Sequence, residues 1–163
     1  MKPEREAVKR PSRKIRGRLV YLIAGLEVRR SEIQGLGVFA ARDFAQDELI
    51  GEYEGRRYRI AEVTARMAPT AGGGHNYWAD CGDGEHWLNA RESGNQLQFI
   101  NHACDDNTYP VWRAGRLYLH AKRDVRAGEE LTWGYVYHTE EGELPCLCRK
   151  PRSAKRGGPK SSS

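Results

Sequence analysis

The chain has 163 residues, enough for one ordinary domain, and 39% of them are hydrophobic. Its net charge of +5 is unevenly distributed, because residues 1–18 and 149–163 each carry +6 whereas residues 19–148 carry −7. An acidic central part argues against a nucleic-acid-binding core. The longest apolar run, 19–26, is far shorter than the ~20 residues of a membrane span, and no small-residue cleavage site follows it, which argues against export.

The two ends differ from the centre in predicted order. Residues 1–18 combine dense charge, two prolines and no apolar period, which predicts a disordered basic arm. Residues 154–163 are rich in glycine, serine and basic residues and predict a disordered basic tail. We expect the folded domain to cover 19–138, with a separate closing segment at 139–153.

The centre is predicted to be mainly β with short helices. The apolar spacing of Ile60, Val63 and Met67 predicts a short helix, and 95–100 predicts a brief helical turn. The pairs Asp83-Gly84 and Ala114-Gly115 predict hairpin turns. Short strands are predicted at 19–28, 37–41, 48–53, 77–79, 87–90, 111–113, 117–122 and 131–133. Many short strands separated by turns indicate a domain built from small sheets.

Two clusters in the first two thirds of the sequence combine residue types that can contact a ligand. Gly35-Leu36-Gly37 allows a close backbone approach to a ligand, although taken alone it is more typical of an ordinary loop entering a strand. Residues 99–107 contain an Asn101-His102 pair, which fits either a hydrogen-bonding site or a satisfied buried turn. The residues alone leave both alternatives open.

Two further clusters lie toward the C-terminus. Residues 128–137 place Trp133, Tyr135 and Tyr137 on one face of an extended segment, as in a half-buried aromatic strand or a binding wall. Cys146-Leu147-Cys148 supplies two of the four cysteines of the chain. A Cys-x-Cys pair closes too small a ring for a useful disulfide, so we expect reduced thiols, free or bound to metal.

Together and in this order, the clusters resemble the SET-domain family of protein-lysine methyltransferases. Residues 35–37 are similar to the first cofactor motif, and Glu52-Tyr53-Glu54-Gly55 to the Tyr-x-Gly step. Residues 99–107 resemble the Asn-His-x-Cys motif, and 128–135 the Glu-Leu-x-x-x-Tyr motif. The resemblance covers about 19–150 and makes 139–153 a post-SET-like segment. It implies small β-sheets with a C-terminal pseudoknot, in which the last motif passes through the loop around Asn-His.

The resemblance also implies an activity: transfer of a methyl group from S-adenosylmethionine to the ε-amine of lysine in a histone tail or other basic protein. It implies catalytic roles for Tyr135 and Tyr53. The implied cofactor-binding residues are Leu36, Gly37, Tyr77, Asn101, His102 and Leu147. The implied substrate channel is lined by Tyr109, Trp133 and Tyr137.

Aromatic residues suit this chemistry because a dry channel disfavours the ammonium form of lysine, which cannot attack. At ~4 Å and an effective dielectric of ~20, repulsion from a sulfonium disfavours the ammonium by about 4 kcal/mol, or roughly 3 pKa units. A carboxylate would instead stabilise the ammonium. We therefore expect Glu52, Glu54, Asp105 and Asp106 to form an acidic rim that attracts a basic peptide, or simply solvated surface charge.

The sequence departs from the family pattern at three places. Cys104, Cys146 and Cys148 are candidate zinc ligands, but Ser153 stands at the expected fourth position and is a poor ligand. Gln98 stands where the family often has arginine, which removes one expected cofactor-side contact. Gly134 stands where aspartate is common, so we expect a stabilising contact beside Tyr135 to be absent.

The departures keep an alternative function open. A catalytically weak SET-like binding module could recruit chromatin or nucleic acid through its basic ends. We expect a monomer without membrane contact, located in the cytoplasm or on chromatin or a nucleoid, with a secreted effector as the alternative location. The substrate lysine and the degree of methylation do not follow from the residues.

Overall fold

A computed structural model describes residues 11–66, 77–92, 94–134, 138–139 and 142–143 of the protein. Short strands dominate this part of the chain, which confirms the mainly β prediction. One α-helix, α1 at Ile60–Arg66, and one 3₁₀ helix, Gln96–Phe99, accompany them. The strands are β1 Ser12–Ile15, β2 Arg18–Tyr21, β3 Leu26–Arg30, β4 Leu36–Ala40, β5 Leu49–Glu52, β6 Arg56–Arg59, β7 Trp78–Asp80, β8 His86–Asn89, β9 Thr108–Arg113, β10 Arg116–Ala121, β11 Glu130–Leu131, β12 His138–Thr139 and β13 Gly142–Glu143.

The strands pair into small antiparallel sheets, as predicted. Three sheets have three strands each, in the orders β5-β10-β9, β11-β4-β3 and β6-β8-β7. Two hairpins, β1-β2 and β12-β13, complete the pairing of the strands given above. No helix in these ranges is long and apolar enough to cross a membrane.

Both predicted hairpin turns form. Ala114 and Gly115, between β9 and β10, have φ angles of 48° and 70°, the left-handed geometry that matches the twist of a hairpin. Asp83, between β7 and β8, accepts hydrogen bonds from the backbone nitrogens of Glu85 and His86. An aspartate that binds the backbone two and three residues later closes a turn without help from distant parts of the chain.

The N-terminal hairpin differs from the expected disordered arm. β1 and β2 pair from Ser12↔Tyr21 to Ile15↔Arg18 across an Arg16-Gly17 turn with φ angles of 49° and 79°. Val20 is fully buried, so one face of the hairpin packs on the domain. The disordered arm therefore does not extend to Arg18: a two-residue turn and one buried valine outweigh the high charge of the segment.

The core consists of apolar side chains from several sheets. Fully buried members are Val20, Val38, Leu97, Leu117, Leu119, Val125 and Leu131. The 3₁₀ helix is fixed to this core by the buried Gln96, whose amide accepts from Ile23 N at 2.6 Å and donates to Leu26 O at 3.0 Å. This anchor determines where the chain emerges into residues 101–102.

The segment 130–134 lies between the two arms of the loop 101–108, and we call this arrangement the crossing. Trp133 N donates to Asn101 O at 3.0 Å, and Thr108 N donates to Thr132 O at 3.1 Å. The segment is thus hydrogen-bonded to both sides of the loop, as a threaded chain requires. The complete pseudoknot stays a prediction, because 135–137 lie outside the described residues.

Candidate active site

Asn101 joins the glycine loop to the C-terminal motif. Its side chain is 2% exposed, and its Nδ2 lies 3.0 Å from Leu36 O, 3.2 Å from Gln34 O and 2.9 Å from Glu130 Oε1. An amide nitrogen has two hydrogens, so these acceptors share them. Three sequence motifs that are far apart along the chain therefore meet at one buried nitrogen atom.

Glu130 is a residue of this site that the sequence analysis did not single out. Its carboxylate accepts from Asn101 and from Ser31 Oγ, at 2.8 Å and 2.9 Å from its two oxygens. A Cβ placed on Gly37 would overlap with this carboxylate. Gly37 therefore makes room for Glu130. The glutamate of the Glu-Leu motif was the available signal, but only the pairing of β4 with β11 shows what it touches.

Tyr53 and Trp133 form an aromatic pair. Their ring centroids are 5.6 Å apart and their planes meet at 70°, an edge-to-face contact. Tyr53 is 1% exposed, and Trp133 packs against the core. The structure thus brings together one residue assigned to catalysis and one assigned to the channel. Tyr135, Tyr137 and Leu147 lie outside the described residues, so their assignments stay predictions.

His102 lies beside the crossing in a half-buried position. Burial lowers the pKa of its imidazole, and a hydrogen bond with the Trp133 backbone and the charge of Asp106 oppose that change. The lowered pKa favours the neutral ring at pH 7. A neutral imidazole can hydrogen-bond a ligand without repelling a positive charge on it.

Tyr109 and Tyr77 make their contacts elsewhere. The Tyr109 hydroxyl donates to Asp47 Oδ1 at 2.9 Å, which raises the pKa of Tyr109, and its ring stacks on His120. The Arg91 guanidinium lies 5.6 Å from the Tyr77 ring centre. These contacts do not connect either tyrosine to the Tyr53–Trp133 pair, so their site assignments stay predictions.

Of the three candidate zinc ligands, Cys104 falls in the described part of the chain, whereas Cys146 and Cys148 do not. The Cys104 sulfur lies 3.6 Å from His102 Nε2. Within the described residues, no group of three or more His, Cys, Asp or Glu side chains is placed to hold a metal ion. Cys81 is buried, and burial raises the pKa of its thiol, as expected for a structural cysteine.

The expected acidic rim is partly neutralised. Asp106 Oδ1 lies 2.6 Å from Lys122 Nζ, and Glu52 Oε1 lies 3.2 Å from Arg116 Nε. Paired carboxylates attract a distant basic peptide less than free ones do. The four acidic residues therefore contribute a weaker field than their number suggests.

An open cavity of about 410 Å³ borders the crossing. Its walls combine arginines with acidic and apolar side chains: Arg29, Arg30, Glu32, Ile33, Phe39, Ala103, Asp105, Asn107, Arg123, Glu129, Glu130 and Thr132. It shares Glu130 with the Asn101 network.

Comparison with known proteins agrees with this geometry. The sequence model of the SET domain matches residues 35–136. The "H3 lysine-4 specific" histone-lysine N-methyltransferase of Saccharomyces cerevisiae is 37% identical over 131 residues, covering 75% of this chain and 12% of that protein. Histone-lysine N-methyltransferase set1 of Dictyostelium discoideum is 30% identical over 133 residues, covering 78% of this chain and 9% of that protein.

A human relative gives the same result. Histone-lysine N-methyltransferase SETD1B is 31% identical over 125 residues, which cover 73% of this chain and 6% of that protein. The chain therefore matches only a small part, 6–12%, of these relatives. The SET-domain match, 35–136, contains the crossing, the glycine loop and the aromatic pair. The chain belongs to the SET-domain family.

Proposed function

We propose that the protein is a lysine methyltransferase that transfers a methyl group from S-adenosylmethionine to the ε-amine of lysine in a protein substrate. The observation that carries this proposal is the meeting of Leu36, Asn101 and Glu130 at one buried amide, beside the Tyr53–Trp133 pair. The family membership of the chain supports the same reaction, as do its relatives, which are named histone-lysine N-methyltransferases.

The cofactor when bound supplies a methyl group activated by a positive sulfonium. We assign its binding to Leu36, Gly37, Asn101 and His102, together with the family-implied Tyr77 and Leu147. The lowered pKa of His102 favours a neutral ring, which does not repel a cationic ligand. The Asn101 nitrogen holds the glycine loop in place, so that backbone groups of the loop keep a constant position.

The Tyr53–Trp133 pair has the character required of a channel wall. Tyr53 is buried and Trp133 partly buried, so water has little access to the edge where they meet. A wall of this kind disfavours the ammonium form of lysine and so favours the attacking amine. Tyr135, with Tyr137 and Tyr109 as further channel residues, would orient that amine through a neutral hydroxyl.

Histones or other basic protein tails are the proposed substrates, because relatives across the family carry histone methyltransferase names. A location on chromatin or a nucleoid follows from that proposal. Zinc stays a prediction, weakened by Ser153 at the expected fourth-ligand position, because Cys146 and Cys148 lie outside the described residues.

Isotopically labelled S-adenosylmethionine tests the activity directly. The protein is incubated with core histones and with basic peptides, and mass spectrometry identifies methylated lysines. Tyr135→Phe should lose most of the activity while still binding the cofactor, whereas Tyr118→Phe, on β10, should remain active. Full activity of Tyr135→Phe would contradict the mechanism, and absence of any methylated lysine would contradict the function.

The basic binding module is the second candidate function, and the N-terminal hairpin favours it. Arg13, Lys14, Arg16 and Arg18 are largely exposed there, and none of the four forms an ion pair with another described residue. The major groove of DNA admits a two-stranded β-ribbon, and basic side chains bind its phosphates. Such binding can coexist with methyl transfer or replace it.

Two measurements separate the candidates. Replacing all four basic residues of the hairpin by glutamine should reduce the salt dependence of duplex-DNA binding by about 3–4 in log–log slope, whereas Arg126→Gln should not. Saturating S-adenosylmethionine at about 100- to 1,000-fold above its Kd should stabilise an intact site by about 2.7–4 kcal/mol. DNA binding with no such stabilisation would favour the module over the enzyme.

A further inference from the structure

Gly134, the residue immediately before Tyr135, is held by the carboxylate of Asp106. Gly134 N donates to Asp106 Oδ2 at 2.9 Å, and Lys122 Nζ donates to Asp106 Oδ1 at 2.6 Å. The Asp106 side chain is 14% exposed. One largely buried carboxylate therefore connects the end of β10 to the backbone that leads into the proposed catalytic tyrosine.

The same carboxylate fills the space beside Gly134. A Cβ placed on Gly134 would lie 2.9 Å from Asp106 Oδ2 and 3.3 Å from its Cγ. A side chain at position 134 and the Asp106 carboxylate cannot both occupy this space unless one of them moves. The contact that the glycine was expected to abolish is thus replaced by a carboxylate from a neighbouring loop.

Asp106 also provides the last of three regularly spaced hydrogen bonds to the backbone of the segment 130–134. Its neighbour Asn107 donates to Glu130 O at 2.8 Å and accepts from Thr132 N at 2.8 Å. With Gly134 N, the held backbone groups belong to residues 130, 132 and 134, the two-residue period of an extended chain. Asp106 and Asn107 therefore hold one edge of the segment up to the residue before Tyr135.

We propose that Asp106 replaces the carboxylate expected at position 134 and is a positioning residue for Tyr135. This inference rests on the proposed function. Asp106 acts through the Gly134 backbone and does not itself touch the reacting groups. A charged acceptor forms a stronger and more directional hydrogen bond to a backbone amide than a neutral one, and the Lys122 contact orients it. The position of Tyr135 is then set from the loop 101–108.

The test exchanges the carboxylate between the two positions. Asp106→Ala should lower kcat by about 10- to 100-fold and change the KM for S-adenosylmethionine by less than about threefold. Asp106→Asn, which keeps an acceptor oxygen, should lose less. Gly134→Asp alone should be impaired by crowding and like charge. The double variant Asp106→Ala/Gly134→Asp should be more active than either Asp106→Ala or Gly134→Asp.

Asp43→Ala is a matched control. Asp43 accepts from Ala127 N at 2.8 Å and pairs with Arg126 at 2.9 Å, the same two kinds of contact at residues outside the segment 130–134 and the loop 101–108. It should leave kcat unchanged. An equal loss of kcat in Asp43→Ala and Asp106→Ala, or a double variant no better than the singles, would overturn the proposal.

Amide hydrogen exchange supplies a readout independent of activity. In Asp106→Ala the Gly134 amide should exchange at least about tenfold faster than in the wild-type protein, because it loses its acceptor. Unchanged exchange would overturn the proposal, as would faster exchange with an unchanged kcat. If the wild-type protein methylates nothing, the proposed function fails, while exchange still decides whether Asp106 holds Gly134.

Discussion

The sheet β5-β10-β9 and the crossing are held together by different interactions. In the sheet, β10 pairs with β9 in an unbroken register from Arg116↔Arg113 to Ala121↔Thr108, and these backbone hydrogen bonds need no particular side chain. In the crossing, side chains of Asn101, Asp106 and Asn107 bind the backbone of other segments. The sheet should therefore tolerate changes of residue type that conserve burial, whereas the crossing depends on individual amide and carboxylate groups.

The sheet and the crossing should therefore contribute differently to stability and to function. Packing in the sheet contributes mainly to the free energy of unfolding, because its backbone hydrogen bonds join the paired strands to each other. The crossing contributes less apolar burial, but it determines where the aromatic pair and the glycine loop lie. Substitutions in the two regions should accordingly have different effects on stability and on activity.

Leu119→Ala should have the largest effect on stability. Leu119 is fully buried on β10, and removing such a side chain costs about 2–5 kcal/mol of unfolding free energy. Urea unfolding measures this loss. At a temperature where the variant is folded, its methyl-transfer rate should stay within about threefold of wild type. A folded variant with no activity would mean that the sheet and the site are not separable.

Asn101→Ala should cost less stability but more activity. It leaves the Leu36 and Gln34 carbonyls and the Glu130 carboxylate without their shared donor, a loss of about 1–3 kcal/mol. The freed glycine loop should lower cofactor affinity by at least about tenfold, measured by calorimetry. Asn89→Ala is the control, since within the described part of the chain its side-chain oxygen accepts just one hydrogen bond, from the nearby Arg91 N. Equal losses of stability and of cofactor affinity in the two variants would contradict the claim that the crossing depends on individual side chains.

Gly17→Ala should have a smaller effect, confined to the N-terminal hairpin. Gly17 has a φ of 79° and no atom within 4 Å of an added Cβ, so the cost is conformational and about 1 kcal/mol. Denaturant unfolding would detect it. A disordered arm would show no cost at all, so an unchanged midpoint would contradict the folded hairpin.

Asp83 should produce the smallest effect, visible as a pH dependence of stability. Hydrogen bonds from the Glu85 and His86 backbones lower its pKa from 3.8 to about 2. The folded state therefore binds fewer protons than the unfolded state between these values, so its contribution is complete above pH ~4 and is lost as the pH falls toward 2. Asp83→Asn should remove this part of the acid dependence in thermal unfolding. An identical pH profile would contradict the assignment.

Turns and short helical segments could be predicted from the sequence. The hairpins at Asp83-Gly84 and Ala114-Gly115 follow from turn residues that act within a few positions. The 3₁₀ helix at Gln96–Phe99 was likewise expected as a helical turn. The family resemblance identified the glycine loop and the Asn-His motif, and the structure joins these two through Asn101. The first strand of the N-terminal hairpin was not predicted, because the high charge of 12–18 favoured disorder, whereas Ile15 packs against the core beside the fully buried Val20.

The sequence by itself determined the mainly β class, the order of the motifs and the family. Hydrophobic periodicity, turn-forming residues and motif spacing can all be read along the chain without knowledge of its contacts in space. Only the tertiary structure decided the partners of Glu130, Asp106 and Lys122. Those partners are up to 99 residues away in the chain, as Ser31 is from Glu130. Contact between such distant side chains depends on how the segments pass each other in space, which no local pattern encodes.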